Sequence, residues 1–160
     1  RDCETRILIP SIPKKQYISL PQMSAPKITD TVLYSLENEP QDFYLINYAN
    51  ADMVGHSGDF DATVKAIKIL DIELEKLYQK IVIEMGGTIY ITGDHGNAES
   101  MWDSKNNAPR TSHTTNPVYF LVLNKDLKNK KLDLNLTELS DIAPFILNEM
   151  GLKVPEVMKK

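Results

Sequence analysis

The sequence predicts an α/β fold with a mainly parallel sheet flanked by helices. Two observations lead there. Short apolar runs of strand character alternate with segments in which apolar residues recur every three or four positions. The strand candidates are also near-continuous in apolar character, as expected when helices cover both faces of a sheet.

Taken in order, Arg6-Ile7-Leu8-Ile9-Pro10 supplies a first strand, closed by Pro10. Pro13, Pro21 and Pro26 make residues 12–26 read as an extended loop. Ser24-Ala25-Pro26 offers a helix start, with Ser24 as N-cap and proline in the first turn. Ile28, Val32 and Leu36 share one helix face, and Asn38-Glu39-Pro40 stops that helix. Phe43 to Tyr48 is the second strand, followed by a loop from Asn50 to Asp59 containing Gly55 and Gly58. Phe60, Val64, Ile67, Leu70, Leu74, Leu77 and Ile81 then mark an amphipathic helix, ended at Gly86-Gly87. Thr88 to Thr92 is a third strand, Gly93 to Ser112 is polar and turn-rich, and Val118 to Leu123 is a fourth strand. Lys125 to Lys131 reads as a charged surface segment. Leu139, Ile142, Ala143, Ile146, Leu147 and Met150 form a last amphipathic helix, ended by Gly151.

Composition narrows the function classes. With 42% hydrophobic and 25% charged residues, the 160-residue chain has the make-up of an ordinary globular protein of one-domain size. A net charge of -4 argues against a nucleic-acid partner, which calls for a basic patch. The single cysteine, Cys3, excludes an intrachain disulfide and reads as an inert thiol. No apolar run approaches the ~18 residues of a membrane span, so no membrane partner and a cytoplasmic location are expected. Strand character begins almost at once after Arg1, so the domain is expected to be incomplete at its N-terminus.

In open α/β sheets, ligands bind beyond the carboxyl ends of the strands. The loops at those positions contain all three histidines, His56, His95 and His113. Asp52 lies four residues before His56, and Asp94 directly precedes His95. Imidazole with carboxylate is a ligand set for zinc, manganese and related divalent ions. Singly, each histidine reads as a satisfied polar residue and Asp94 as a turn former; together, on loops the fold gathers at one edge, they read as metal ligands. Five such ligands exceed the need of one four-coordinate ion and fall short of filling two sites. A pair of ions some ~4 Å apart would suit displacement at phosphorus. Metal affinity should fall on acidification as imidazoles protonate.

The runs Asn50-Ala51-Asp52-Met53-Val54-Gly55-His56-Ser57-Gly58, Gly93-Asp94-His95-Gly96-Asn97-Ala98-Glu99 and His113-Thr114-Thr115-Asn116-Pro117-Val118 resemble the cofactor-independent phosphoglycerate mutases of the alkaline phosphatase superfamily. Arg6 to Ser11 and Pro21 to Pro26 are similar to that family as well. The resemblance implies an alkaline phosphatase-like fold and a cytoplasmic glycolytic isomerase. It also implies interconversion of 3-phosphoglycerate and 2-phosphoglycerate through a phosphoserine, at two divalent metal ions, usually manganese. It assigns Asp52, His56 and His113 to one ion and Asp94 and His95 to the other. It further matches Lys14 to a lysine contacting the phosphoryl group. Here the chain departs from the pattern, because Ile12 looks inserted before Pro13-Lys14 and Lys15 is a second candidate.

The resemblance implies that residues 1–160 are the C-terminal part of the phosphatase-like domain. The family's nucleophilic serine segment and inserted substrate domain, which makes most phosphoglycerate contacts, have no match here. The chain alone is therefore expected to be inactive, and a sheet edge left bare would favour self-association. Two other readings stay open: a related metal-dependent phosphatase or phosphopentomutase, and a non-catalytic metal-binding module.

Overall fold

The structure is a computed structural model, and it describes residues 4–127, 134 and 136–159. The chain divides into two compact units, Arg1–Asp126 and Leu127–Lys160. Cys3 and residues 128–131 of the charged segment lie outside the described residues.

The first unit is built on three helices. Helix α1 spans Ala25–Asn38, with Pro26 in its first turn. Ser24 stands at the N-cap as expected, but its side chain makes no capping bond. Its hydroxyl instead donates to the Pro10 carbonyl at 2.7 Å, tying the first extended segment to the helix start. Helix α2, Asn50–Gly55, occupies part of what the sequence suggested was loop. Six residues carry too little periodicity to be read as a helix, and burial of Val54 holds the element in place.

Helix α3 spans Phe60–Leu77 and continues as a π-helical stretch over Tyr78–Glu84. Asp59 caps it by accepting from the Ala62 N–H at 2.8 Å. The left-handed Gly86, at φ +70°, ends it as expected. Its buried face overlaps only in part with the apolar stripe read from the sequence, sharing Leu77. Ala62, Thr63, Ala66, Glu73 and Leu77 are buried, whereas Phe60 is 64% and Ile67 47% exposed. Small residues allow the close approach of α2, whose Val54 packs with Ala62 and Ala66. Tyr17 and Met23 complete that cluster, with Ile12 and Met53 against its rim.

The sheet differs from the expectation of mainly parallel pairing. Strand β1, Ile89–Thr92, pairs antiparallel with β4, Phe120–Leu123. Strand β2, Trp102–Asp103, pairs antiparallel with β3, Ala108–Pro109. The physical reason is the connection: a loop and a short hairpin join β1 to β4, with no crossover helix to return the chain in the same direction. Residues 6–10 and 43–48, expected as the first two strands, are extended but form no ladder among the described residues. In the second of these, Tyr44 and Tyr48 turn inward, their hydroxyls bonding Ser35 and Thr29 of α1. Leu45 on the other face is 90% exposed, and Leu8 in the first segment 91%.

In the second unit, a 3-10 turn over Leu139–Asp141 leads into α4, Ile142–Glu149. A reciprocal capping box between Glu138 and Asp141 starts it, and Gly151, at φ +69°, follows its end. Among the described residues, no helix is long and apolar enough to cross a membrane.

Candidate metal centre

Helix α2 presents Asp52 and its C-capping residue His56 on one face, four residues apart. Its start is held by Asn50, 1% exposed, whose amide donates to the carbonyls of Pro21 and Gln22, each at 2.7 Å. The loop after β1 carries Asp94 and His95. It is joined to the His113 loop by an antiparallel bridge between Gly96 and Thr114, whose N–H donates to the Gly96 carbonyl at 2.9 Å.

The imidazoles meet there. His113 Nε2 lies 3.0 Å from His56 Nε2, and each lies 3.3 Å from Asp52 Oδ1. The His95 and His113 rings stack with centroids 3.7 Å apart. One ligand atom each from Asp52, His95 and His113 falls within 4.8 Å of the others. His56 Nδ1 sits 2.7 Å from the Thr111 carbonyl. A carbonyl can only accept, so Nδ1 carries the proton and Nε2 presents its lone pair to the cluster.

The residues fit a divalent cation. Ligands at 2.0–2.1 Å in tetrahedral array stand roughly 3.3 Å apart, close to the separations among Asp52, His56 and His113. His95 Nδ1 is buried with no hydrogen-bond partner among the described residues, as a ring nitrogen reserved for an ion would be. Asp94 stands apart from this cluster: its side chain is 88% exposed and its recorded contact is with His95 Nε2, at 3.5 Å.

Lys14 opens a 3-10 turn, Lys14–Gln16, and is exposed. Its side chain makes no hydrogen bond or ion pair with a described residue. The turn is nevertheless fixed to the same core as α2, because Tyr17 packs in the cluster that contains Val54. Ser57, the serine next to His56, donates to the Val54 carbonyl at 2.6 Å and accepts from the Asp59 N–H. It closes a helix end.

Four polar residues around the cluster carry no role in the sequence reading. Asn97, 7% exposed, donates to Asp52 Oδ1 at 2.8 Å. Glu99 accepts from Asn97, Thr114 and Asn116. Glu99, Asn97, Thr114 and Asn116 all lie inside the quoted motifs, but nothing in their type or spacing separates a supporting residue from a ligand. Partial burial pushes the Glu99 carboxyl up, yet bonds from Thr114, its own N–H, Asn116 and the Asn97 N–H outweigh this and hold it below the usual carboxylate range. The unfolded chain therefore binds the proton more readily, and this stabilisation is fully present above about 4.5, the reference value. It is lost as pH falls through the lower folded value. Unfolding of wild type and Glu99→Gln followed across acidic pH should show the gap between them closing below that range. A gap that widens on acidification would contradict this.

Comparison with known proteins matches residues 2–154 to the metalloenzyme superfamily model. The chain belongs to the metalloenzyme superfamily. Within it, the chain is 45% identical over 155 residues to the 2,3-bisphosphoglycerate-independent phosphoglycerate mutase of Clostridium tetani, covering 97% of this chain and 30% of that protein. It is 47% identical over 157 residues to the same enzyme of Malacoplasma penetrans, covering 98% of this chain and 30% of the relative. A crystal structure of Leishmania mexicana phosphoglycerate mutase, at low cobalt concentration, superposes with a TM-score of 0.79 at 29% identity. It covers 94% of this chain and 30% of that one. The expected α/β, alkaline phosphatase-like fold class stands. The chain spans about 30% of the length of the relatives it matches.

Proposed function

We propose that this chain is the metal-holding part of a cytoplasmic glycolytic phosphoglycerate mutase that interconverts 3-phosphoglycerate and 2-phosphoglycerate through a phosphoserine. Convergence of Asp52, His56, His95 and His113 carries this reading, and the relatives' names favour a mutase over a phosphatase, a phosphopentomutase or a non-catalytic module. We assign Asp52, His56 and His113 to one divalent ion and Asp94 and His95 to a second, both manganese. Such ions acidify a coordinated hydroxyl and neutralise phosphoryl oxygens. The chain's own residues provide the cradle: Thr111 orients His56 through its carbonyl, Asn97 orients Asp52, and Lys14 supplies positive charge for the phosphoryl group. The nucleophilic serine and the substrate domain come from polypeptide outside these residues.

Calorimetry on the 160-residue chain tests this reading. Manganese should bind near neutral pH and bind more weakly as pH falls through the ordinary imidazole range, about 6.5. The same sample should show no mutase turnover. A folded chain that takes up no manganese, or one that turns over 3-phosphoglycerate alone, would overturn the reading. The unladdered backbone beside Leu8 and Leu45 further supports self-association of the isolated chain; a sedimentation velocity profile independent of concentration would exclude it.

A further inference from the structure

Beside the imidazoles lies a second polar assembly, whose hydrogen bonds involve none of the ring nitrogens. Glu99 Oε1 accepts from the Thr114 hydroxyl, and from Asn116 Nδ2 at 2.9 Å. Its Oε2 accepts from the Asn97 N–H at 2.6 Å. Thr114 is the neighbour of His113, whereas Asn97 belongs to the His95 loop. One carboxylate thus spans both ligand-bearing loops. Asn97 extends the chain of contacts by donating to Asp52 Oδ1 at 2.8 Å, so helix α2 is joined to it as well.

The chemistry requires an acid at this position. Three donors from other residues on two loops, with the Glu99 N–H as a fourth, converge on the side chain, and only an ionised carboxylate offers acceptor oxygens alone. The backbone is fitted around it. A Cβ on Gly96 would fall inside the contact shells of Thr114 Oγ1 and Glu99 Oε1. A Cβ on Gly55, next to His56, would collide with Asn97 Oδ1.

We propose that Glu99 is a positioning residue that clasps the His95 and His113 loops together and, through Asn97, aims Asp52, so that it sets the cluster's affinity for a divalent cation without ligating it. This rests on the reading that the cluster holds such a cation. Outer partners of metal ligands typically govern 10–100-fold in affinity. Glutamine would keep one acceptor for Thr114 and Asn116 but turn an amide N–H₂ toward the Asn97 N–H, so it should rescue only in part.

Cobalt(II) titration of the 160-residue chain provides the test, with visible absorption reporting the ligand set and circular dichroism reporting the fold. Glu99→Ala should bind cobalt at least about tenfold more weakly, with Glu99→Gln in between and the wild-type spectrum recovered at saturation in both. Unchanged affinity in a folded Glu99→Ala overturns the proposal. So does an altered spectrum at saturation, which would make Glu99 a ligand. If the wild type takes up no cobalt, the cation reading fails, and the clasp is judged on the metal-free imidazole NMR signals. Those of His95 and His113 should shift and broaden in Glu99→Ala; unchanged signals overturn the clasp too.

Discussion

Replacing Asp52 by alanine should weaken manganese binding by more than about a hundredfold, above the range that outer partners command. The expectation follows from the position of one atom. Oδ1 of Asp52 stands 3.3 Å from both His56 Nε2 and His113 Nε2, and it also accepts from Asn97. It would supply negative charge to a dication held among the imidazoles. Alanine removes that charge and leaves the Asn97 amide without its acceptor. Asp52→Asn separates the two effects: it keeps an acceptor for Asn97 and loses the charge. Calorimetry on both variants should find Asn close to Ala, and binding near wild-type strength in either would remove Asp52 from the ligand set.

The second large effect concerns stability. Asn50→Ala should cost about 2 kcal/mol in urea unfolding, the scale of leaving buried carbonyls unsatisfied. Asn50 is 1% exposed and its amide is shared by Pro21 O and Gln22 O, contacts that join the proline-rich loop to the first turn of α2. Asn50→Asp should be at least as damaging, because a carboxylate would face two carbonyls with no proton to offer. Since α2 also carries Asp52, metal affinity should fall in parallel. A change in stability below about 0.5 kcal/mol, the scale of an ordinary surface substitution, would show that the loop is held by other contacts.

Residue type and position made the candidate ligands more legible than the scaffold. The sequence places all three histidines in segments next to strand candidates, and the structure brings His56, at the end of α2, together with His95, His113 and Asp52. Asp94 is adjacent to His95 by sequence necessity, and its exposed carboxylate joins no wider cluster among the described residues. The extended character of residues 43–48 was legible from its apolar run, but ladder partners are a property of the whole sheet, which no single segment encodes. On α3 the stripe of large residues contributes Leu77 to the buried face but leaves Phe60 and Ile67 exposed, whereas Ala62 and Ala66 face the core. Hydrophobic periodicity weights large side chains, while close helix packing selects small ones. The supporting bonds of Asn50, Asn97 and Glu99 depend on contacts across 29, 45 and 17 residues of sequence. Such pairings have no local signature.

The contacts at the centre reach across long stretches of chain: 55 residues from His56 to Thr111 and 57 from His56 to His113. An ion held by both sides closes a loop of that length. The entropy of closure grows only logarithmically with loop length, and it falls on the unfolded chain. Metal uptake and folding then become one coupled equilibrium. At a free ion concentration a hundred times the dissociation constant, the folded form would gain about 2.7 kcal/mol, enough that such an ion would serve this chain as a removable cross-link.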